Sequence, residues 1–158
     1  MKVLTACLVY LSLASQALAL SCLRPDVARS FDNFEATGLP YAVVRGTLQF
    51  DVAKLPQAGS KSPPPRLTKI QAHLTGQSLT SSGFETSFDH PVTLEVKCLA
   101  AWCGGAKPDA DYLLFVERSA AGYSVNLGPC GGSEFLNPSA DALRRVQQCF
   151  NGGACVAE

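Results

Sequence analysis

The clearest pattern in the chain is an alternation of apolar and polar positions over residues 43–52. One face carries mainly apolar residues, namely Val44, Gly46, Leu48, Phe50 and Val52. The opposite face is mainly polar and carries Val43, Arg45, Thr47, Gln49 and Asp51. A period of two predicts a β-strand with one buried face. Because Gly46 lies on that face, we expect a bend or a close approach of another backbone there.

Similar patterns follow and predict a sheet of five or six antiparallel strands. Apolar residues alternate with polar ones over residues 70–76 and again over 92–98. Residues 112–116 are apolar throughout, which predicts a strand covered on both faces. Gly122 predicts a turn that returns residues 123–127 as a hairpin partner. Between the first two strands, residues 54–66 predict a surface loop, either a recognition loop or a variable one.

A helical period is present near each end of this strand-rich region. Val27, Phe31 and Phe34 are helically spaced after Pro25, and Gly38 predicts the end of that helix. A second helix is predicted to begin with Asn137 as its cap and Pro138 at its first position. Its apolar face carries three residues, which are Leu143, Val146 and Phe150. The fold class is therefore mainly β: a small closed barrel of five to six strands with a short N-terminal and a C-terminal helix.

The N-terminus has the pattern of a secretory signal peptide. Lys2 precedes an apolar run, and small residues stand at alternate positions before the predicted cut after Ala19. Residues 1–19 would then be the signal peptide, and residues 20–158 a single domain beginning at Leu20. A second reading places the cut after Ser21 and makes Cys22 the first residue. A third, which the residues before Cys22 disfavour, makes Cys22 the lipid-modified cysteine of a bacterial lipoprotein.

Cysteine usage supports export. Cys7 would leave with the signal peptide, and the remaining six cysteines are Cys22, Cys98, Cys103, Cys130, Cys149 and Cys155. An even number in a small exported chain predicts a disulfide framework in the periplasm or the extracellular space. Six cysteines allow 15 pairings, so their spacing alone selects none.

Charge and length narrow the possible partners. The whole chain has 13 basic and 13 acidic side chains, and removal of Lys2 leaves 12 against 13, a net charge of −1. No basic run is present, which disfavours nucleic acid and anionic membranes as partners. No apolar stretch reaches the roughly 20 residues that a spanning helix needs.

The sequence offers no recognisable catalytic or metal-binding motif. The two histidines, His73 and His90, lack the spacing typical of metal ligands. Trp102 and Cys103 superficially resemble a thioredoxin-type redox turn, but Ala106 stands where the second thiol is needed. The spacing of Cys98 and Cys103 favours a structural bridge instead. We therefore expect no enzyme, no cofactor and no metal.

Four segments follow one another in a recognisable order. The first is Leu20-Ser21-Cys22 with Pro25 and residues 28–34. The second is Tyr41-Ala42-Val43-Val44-Arg45-Gly46-Thr47-Leu48. The third is Asp111-Tyr112-Leu113-Leu114-Phe115 followed by Ala121-Gly122-Tyr123-Ser124-Val125. The fourth runs from Cys130 to Phe135 and continues with Pro138, Leu143 and Cys149.

Together these segments resemble the netrin-type module and, within it, the N-terminal domain of tissue inhibitors of metalloproteinases. They are similar to the family's Cys-x-Cys start with its proline and short helix, its first strand, its glycine-turn hairpin and its closing cysteine and helix. The resemblance covers most of residues 20–158 and implies an OB-type barrel of five strands. It also implies a bridge between Cys22 and Cys130, which leaves Cys98–Cys103 and Cys149–Cys155 as local closures.

The same resemblance implies a way of binding. Inhibitors of this family place the amine and carbonyl of their first residue on the catalytic zinc of the target, so Leu20, Ser21 and Cys22 become the candidate target-binding residues. The match is imperfect, because Leu20 stands where the family has its first cysteine. The expected function is that of an exported, monomeric, non-catalytic binding module that inhibits a secreted or periplasmic metalloprotease. The alternative is a structural or envelope-associated domain with no inhibitory activity.

Overall fold

A computed structural model of the protein describes residues 21–57 and 63–158. The predicted signal peptide and Leu20 lie outside the described residues. The described residues form two α-helices and seven β-strands, in the order α1 (Val27–Thr37), β1 (Tyr41–Phe50), β2 (Leu67–Thr80), β3 (Gly83–Leu99), β4 (Trp102–Cys103), β5 (Asp111–Ser119), β6 (Gly122–Leu127), β7 (Glu134–Leu136) and α2 (Ala140–Phe150). The prediction of a mainly β protein with a helix near each end is confirmed.

Five of the strands form a closed ring. Strand β1 pairs with both β2 and β5, β2 pairs with β3, β3 pairs with β6, and β6 returns to β5. The β3–β6 pair is parallel and the others are antiparallel, so the prediction of antiparallel strands throughout is wrong at this one pair. A ring with an odd number of strands cannot be antiparallel at every pairing. Along β5, β1, β2 and β3 the order is that of a Greek key.

Two apolar clusters lie on opposite sides of the ring wall. One fills the ring and contains fully buried leucines from each main strand, namely Leu48, Leu74, Leu94, Leu114 and Leu127. The other lies between the outer faces of β1 and β5 and the two helices, and includes Phe31, Val43, Leu113, Phe115 and Val146. Residues 112–116 are buried on both faces, as predicted. The predicted polar face of β1 is wrong at Val43, because the helices cover that position.

Helix boundaries follow the capping side chains. Helix α1 begins after Asp26, whose carboxylate accepts hydrogen bonds from the first-turn amides, and ends at Gly38 with φ 64°. Helix α2 is capped by Ser139 rather than by the predicted Asn137. Its buried residues are Val146 and Cys149. The prediction for Phe150 is wrong, because this side chain lies beside the buried stripe and is 42% exposed.

The end of β1 also differs from the predicted strand. Strand β1 stops at Phe50, and the Asp51 side chain then caps a single 3₁₀ turn over Val52–Lys54. Val52 is 46% exposed because the turn removes it from the sheet. Within the described part of the chain, neither helix combines the length and the apolar character needed to cross a membrane.

The predicted close approach at Gly46 is confirmed. Gly46 is the direct register partner of Gly76 on β2. A Cβ atom at Gly46 would lie 2.3 Å from the carbonyl oxygen of Thr75, and one at Gly76 would lie 2.1 Å from that of Arg45. Glycine at both positions lets the backbones of β1 and β2 lie this close together.

Candidate functional site

The N-terminal segment of the described chain is tied to the loop between β6 and β7. Cys22 forms a disulfide with Cys130, whose Cα atom is 5.2 Å from its own. Residues 21–25 are all exposed, and Leu23 keeps 76% of its surface accessible. Of the three predicted target-binding residues, Ser21 and Cys22 lie on this exposed segment, and Leu20 lies outside the described residues. The disulfide thus anchors the segment to the β6–β7 loop while its outer side stays exposed.

The residues that follow fix the direction in which the segment leaves the ring. Gly131 has φ 67° and packs beneath Pro25, so that a Cβ atom there would lie 3.2 Å from the proline Cγ. The Arg29 guanidinium donates a 3.2 Å hydrogen bond to the Arg24 carbonyl. A disulfide, a proline contact and a side-chain hydrogen bond therefore act on five consecutive residues. We name residues 21–25 the N-terminal ridge.

An open groove of about 470 Å³ lies beside the N-terminal ridge. Its wall is formed by the ridge, by the segment after β4 and by β5 and β7, with Pro25, Ala106, Tyr112, Cys130, Glu134 and Leu136 among its lining residues. Most of these are apolar. The size is within the range of pockets that hold a small ligand or a side chain. The ridge and the groove therefore form one continuous surface.

Tyr112 fixes the far wall of the groove. Its side chain is 2% exposed, and its hydroxyl oxygen accepts a 2.8 Å hydrogen bond from the Lys107 amide. This bond holds the segment that follows β4 against the ring. The shape of the groove therefore depends on this hydrogen bond between β5 and the segment that follows β4.

Glu134 is the acidic group of the groove, and its side chain is partly buried. Burial raises the pKa of its carboxyl to about 8, although the backbone amides of Glu134 and Ser133 favour the charged form and act in the opposite direction. Its Oε2 atom is buried and has no hydrogen-bond partner among the described residues. Such an atom is costly unless a partner arrives. The carboxyl places an acidic group in a groove whose walls are mainly apolar.

The histidines lie away from this surface, on the β2–β3 hairpin. His73 contacts the Asp89 carboxylate, and this hydrogen bond holds the pKa of Asp89 below its usual value. His90 packs against Phe88 and Tyr123, with ring centroids 4.9 and 5.1 Å apart. Among the described residues, no three potential ligands lie close enough together to hold a metal ion.

The other two disulfides are Cys98–Cys103, which closes the β3–β4 hairpin, and Cys149–Cys155, which closes the end of α2. With Cys22–Cys130, these are the three pairs that the family resemblance implied. Three disulfides indicate an oxidising environment, extracellular or periplasmic. A sulfur in a disulfide cannot also carry a thioether-linked lipid, so the bridge at Cys22 argues against the lipoprotein reading.

The groove was not visible in the sequence. Tyr112 was expected only as a strand residue, and neither Glu134 nor Ala106 carried a functional prediction. The three come from separate segments that only the pairing of β5 with β7 and the path after β4 bring together. The one available signal was a lone glutamate between Ser133 and Phe135, which is too common a pattern to single out.

Comparisons of the chain with protein-family models, with curated proteins and with solved structures give no significant match.

Proposed function

We propose that the chain is an exported, non-catalytic binding module that inhibits a secreted or periplasmic metalloprotease through its N-terminal ridge. The observation that carries the proposal is the Cys22–Cys130 disulfide, which anchors the exposed N-terminal ridge beside an open groove. A segment that is already ordered before binding loses little conformational freedom when it binds, and this favours affinity. The resemblance to the metalloproteinase inhibitors supplies the chemistry.

That chemistry uses backbone atoms of the first mature residue. An unprotonated α-amine and a carbonyl oxygen can together take the open position of a catalytic zinc and displace its water. If the mature chain begins at Cys22, its own disulfide anchors the chelating residue. If it begins at Leu20, the anchor lies two residues further along and holds the first residue less firmly.

The groove has a complementary task in this proposal. A side chain of the target that approaches the ridge would enter between Pro25 and Ala106 and meet the Glu134 carboxyl. The apolar walls favour an apolar side chain. The carboxyl favours a side chain that also carries a hydrogen-bonding group. Removal of the groove would therefore lower affinity without altering zinc chelation.

We also infer that the ring of five strands is an OB-like barrel and that residues 20–158 form one domain. Support comes from the Greek-key order of β5, β1, β2 and β3 and from the closure of β1 against β5. The OB-fold is a Greek-key barrel of five strands. The resemblance of the sequence to the netrin-type module points to the same architecture.

The test begins with the mature protein itself. N-terminal sequencing defines the first residue, and titration against a panel of secreted zinc proteases measures inhibition. We expect tight inhibition that disappears when one extra alanine precedes the first residue or when its amine is acetylated. The matched control carries the extra alanine after Glu158 and keeps full inhibition.

Three outcomes would contradict the proposal in whole or in part. Lack of inhibition by protein with a confirmed mature end would favour a structural or envelope-associated domain. Turnover of a substrate in a broad hydrolase panel would identify an enzyme instead. Inhibition that survives acetylation would still indicate a binding module, but it would contradict zinc chelation by the N-terminal ridge.

A further inference from the structure

The turn between β3 and β4 is apolar and exposed. Leu99 and Trp102 are cross-strand partners and keep 56% and 64% of their surface accessible. Ala100 and Ala101 lie between them and are also exposed. Four consecutive exposed apolar residues are unusual on a folded protein unless they meet a partner. We name Leu99, Ala100, Ala101 and Trp102 the apolar tip.

The apolar tip is held in one shape. The Cys98–Cys103 disulfide joins the two residues that flank it, and these residues are themselves register partners. Ala100 has φ 53°, a conformation in which glycine costs nothing and asparagine is tolerated. Glycine would remove apolar surface and asparagine would add a polar group. Alanine at this position has an unfavourable backbone conformation, but it keeps the tip apolar.

Basic side chains surround the base of the apolar tip. Leu67, which is 43% exposed, pairs directly with Lys97 across β2 and β3. Arg66 precedes it, and its carbonyl accepts a 3.0 Å hydrogen bond from the Cys98 amide. Neither Arg66 nor Lys97 forms an ion pair within residues 21–57 and 63–158.

The acidic neighbour of these cations is already neutralised. Glu95 lies two positions before Lys97 on β3, and its carboxylate pairs with Lys69 at 2.8 Å. Glu95 therefore does not offset the charges of Arg66 and Lys97. Strand pairing brings Arg66 and Lys97 together from distant parts of the sequence, which is why the sequence showed no basic run.

We propose that the apolar tip inserts into the interfacial region of a bilayer with anionic headgroups. Tryptophan prefers the boundary between headgroups and hydrocarbon, and Leu99 can enter the acyl region beside it. Arg66 and Lys97 would then lie at the level of the headgroups. A protein pocket would equally accept the apolar side chains, but the unpaired cations around them favour an anionic surface. The inserted surface is small, so the contact is weak and reversible.

The chain carries its own probe for this test, because Trp102 is its one tryptophan. We expect a blue shift of its emission, and co-sedimentation of the protein, with vesicles of phosphatidylglycerol and phosphatidylcholine in equal parts. Pure phosphatidylcholine vesicles should give a much smaller effect, and added salt should weaken binding. Lys97→Ala should lower the partition coefficient about fivefold, the equivalent of about 1 kcal/mol per basic side chain.

Matched variants separate insertion from misfolding. Trp102→Ala should lose about tenfold or more in co-sedimentation, while Val156→Ser, which alters another exposed apolar residue, should bind as the parent does. Circular dichroism and mass spectrometry verify the fold and the three disulfides. Ala100→Gly removes one methyl group from the apolar tip and should lower binding much less than Trp102→Ala does.

Two results would overturn the proposal: no shift with anionic vesicles, whether or not a target protease produces one, or equal co-sedimentation of Trp102→Ala and the parent protein. Inhibition by Trp102→Ala is expected to be unchanged, so this test and the test of the proposed function fail independently.

Discussion

The Arg145 guanidinium on α2 donates a 2.9 Å hydrogen bond to the Asp26 carboxylate, which also caps α1. The other carboxylate oxygen accepts hydrogen bonds from the amides of Ala28 and Arg29. Burial would raise the pKa of Asp26, but the bonds from Arg29 and Arg145 outweigh it and hold the pKa below its usual 3.8. One carboxylate thus joins the start of the first helix to the middle of the last.

Asp26→Ala is expected to lower the free energy of unfolding by about 2–3 kcal/mol. It removes a helix cap worth about 1 kcal/mol and leaves the largely buried Arg145 without its main partner. Asp26→Asn should cost less, because the amide oxygen still caps α1. Urea denaturation measures both variants. Asp141→Ala, which breaks an exposed ion pair with Arg144, is the control and should change stability by no more than about 0.5 kcal/mol.

Glu134 should make stability depend on pH between about 4.5 and about 8. Its pKa is 4.5 when solvated and about 8 in the folded protein, so the folded state holds a proton that the unfolded state releases. The free energy of unfolding therefore falls as pH rises through this window, by up to about 1.4 kcal/mol per pH unit, and levels off above it.

Denaturation curves of Glu134→Gln over the same pH range test whether Glu134 causes this pH dependence of stability. The variant cannot ionise, so its slope between about pH 5 and about pH 8 should be much flatter than that of the parent protein. Glu85→Gln removes an exposed carboxyl on β3 and should keep the parental slope. An unchanged slope in Glu134→Gln would assign the pH dependence to another group.

Gly46→Ala and Gly76→Ala should each destabilise the protein by about 3 kcal/mol. Each new Cβ atom would lie within 2.3 Å of a backbone carbonyl oxygen of the opposite strand, so the strands must separate. Gly105→Ala is the control, because no atom lies within 4 Å of the position its new methyl group would take and its φ is not in the left-handed region. Thermal unfolding ranks the three variants. Equal stability of Gly46→Ala and Gly105→Ala would contradict the close approach.

Loss of the Cys22–Cys130 disulfide should cost more stability than loss of either local bridge. It closes a loop over a sequence separation of 108, against 5 and 6 for the other two. Loop-closure entropy assigns about 4–5 kcal/mol to the long loop and about 2 kcal/mol to a short one. Paired serine variants measured by denaturation give the order. Peptide mapping of the unreduced protein verifies the pairing, and a Cys22 peptide linked elsewhere would contradict it.

The sequence predicted the elements that carry a strong local period. The strand over residues 70–76 and the doubly covered strand over 112–116 are present because burial follows directly from the apolar pattern. Gly46 was predicted to meet another backbone, although its partner Gly76 becomes evident only from the register. Periodicity failed at Val43, since alternation describes one sheet face and cannot show that helices cover the other.

Features that depend on distant segments were beyond a sequence reading. The parallel β3–β6 pair follows from ring closure, and ring closure depends on β1 meeting β5. The groove needs Ala106, Tyr112 and Glu134 at one place, yet each stands in an ordinary local context. The N-terminal ridge could be predicted because a disulfide fixes it and a family resemblance pointed to it.

The burial of β5 on both faces has a consequence for folding. Until the two helices pack onto the ring, residues 112–116 keep one apolar face open. Five consecutive apolar residues without charge or proline are prone to pair with copies of themselves. Asp111 before the run and Glu117 and Arg118 after it place charges at both ends, as gatekeeper residues do. A lesion that detaches the two helices would thus lead to aggregation, because it uncovers an apolar strand that can pair with copies of itself.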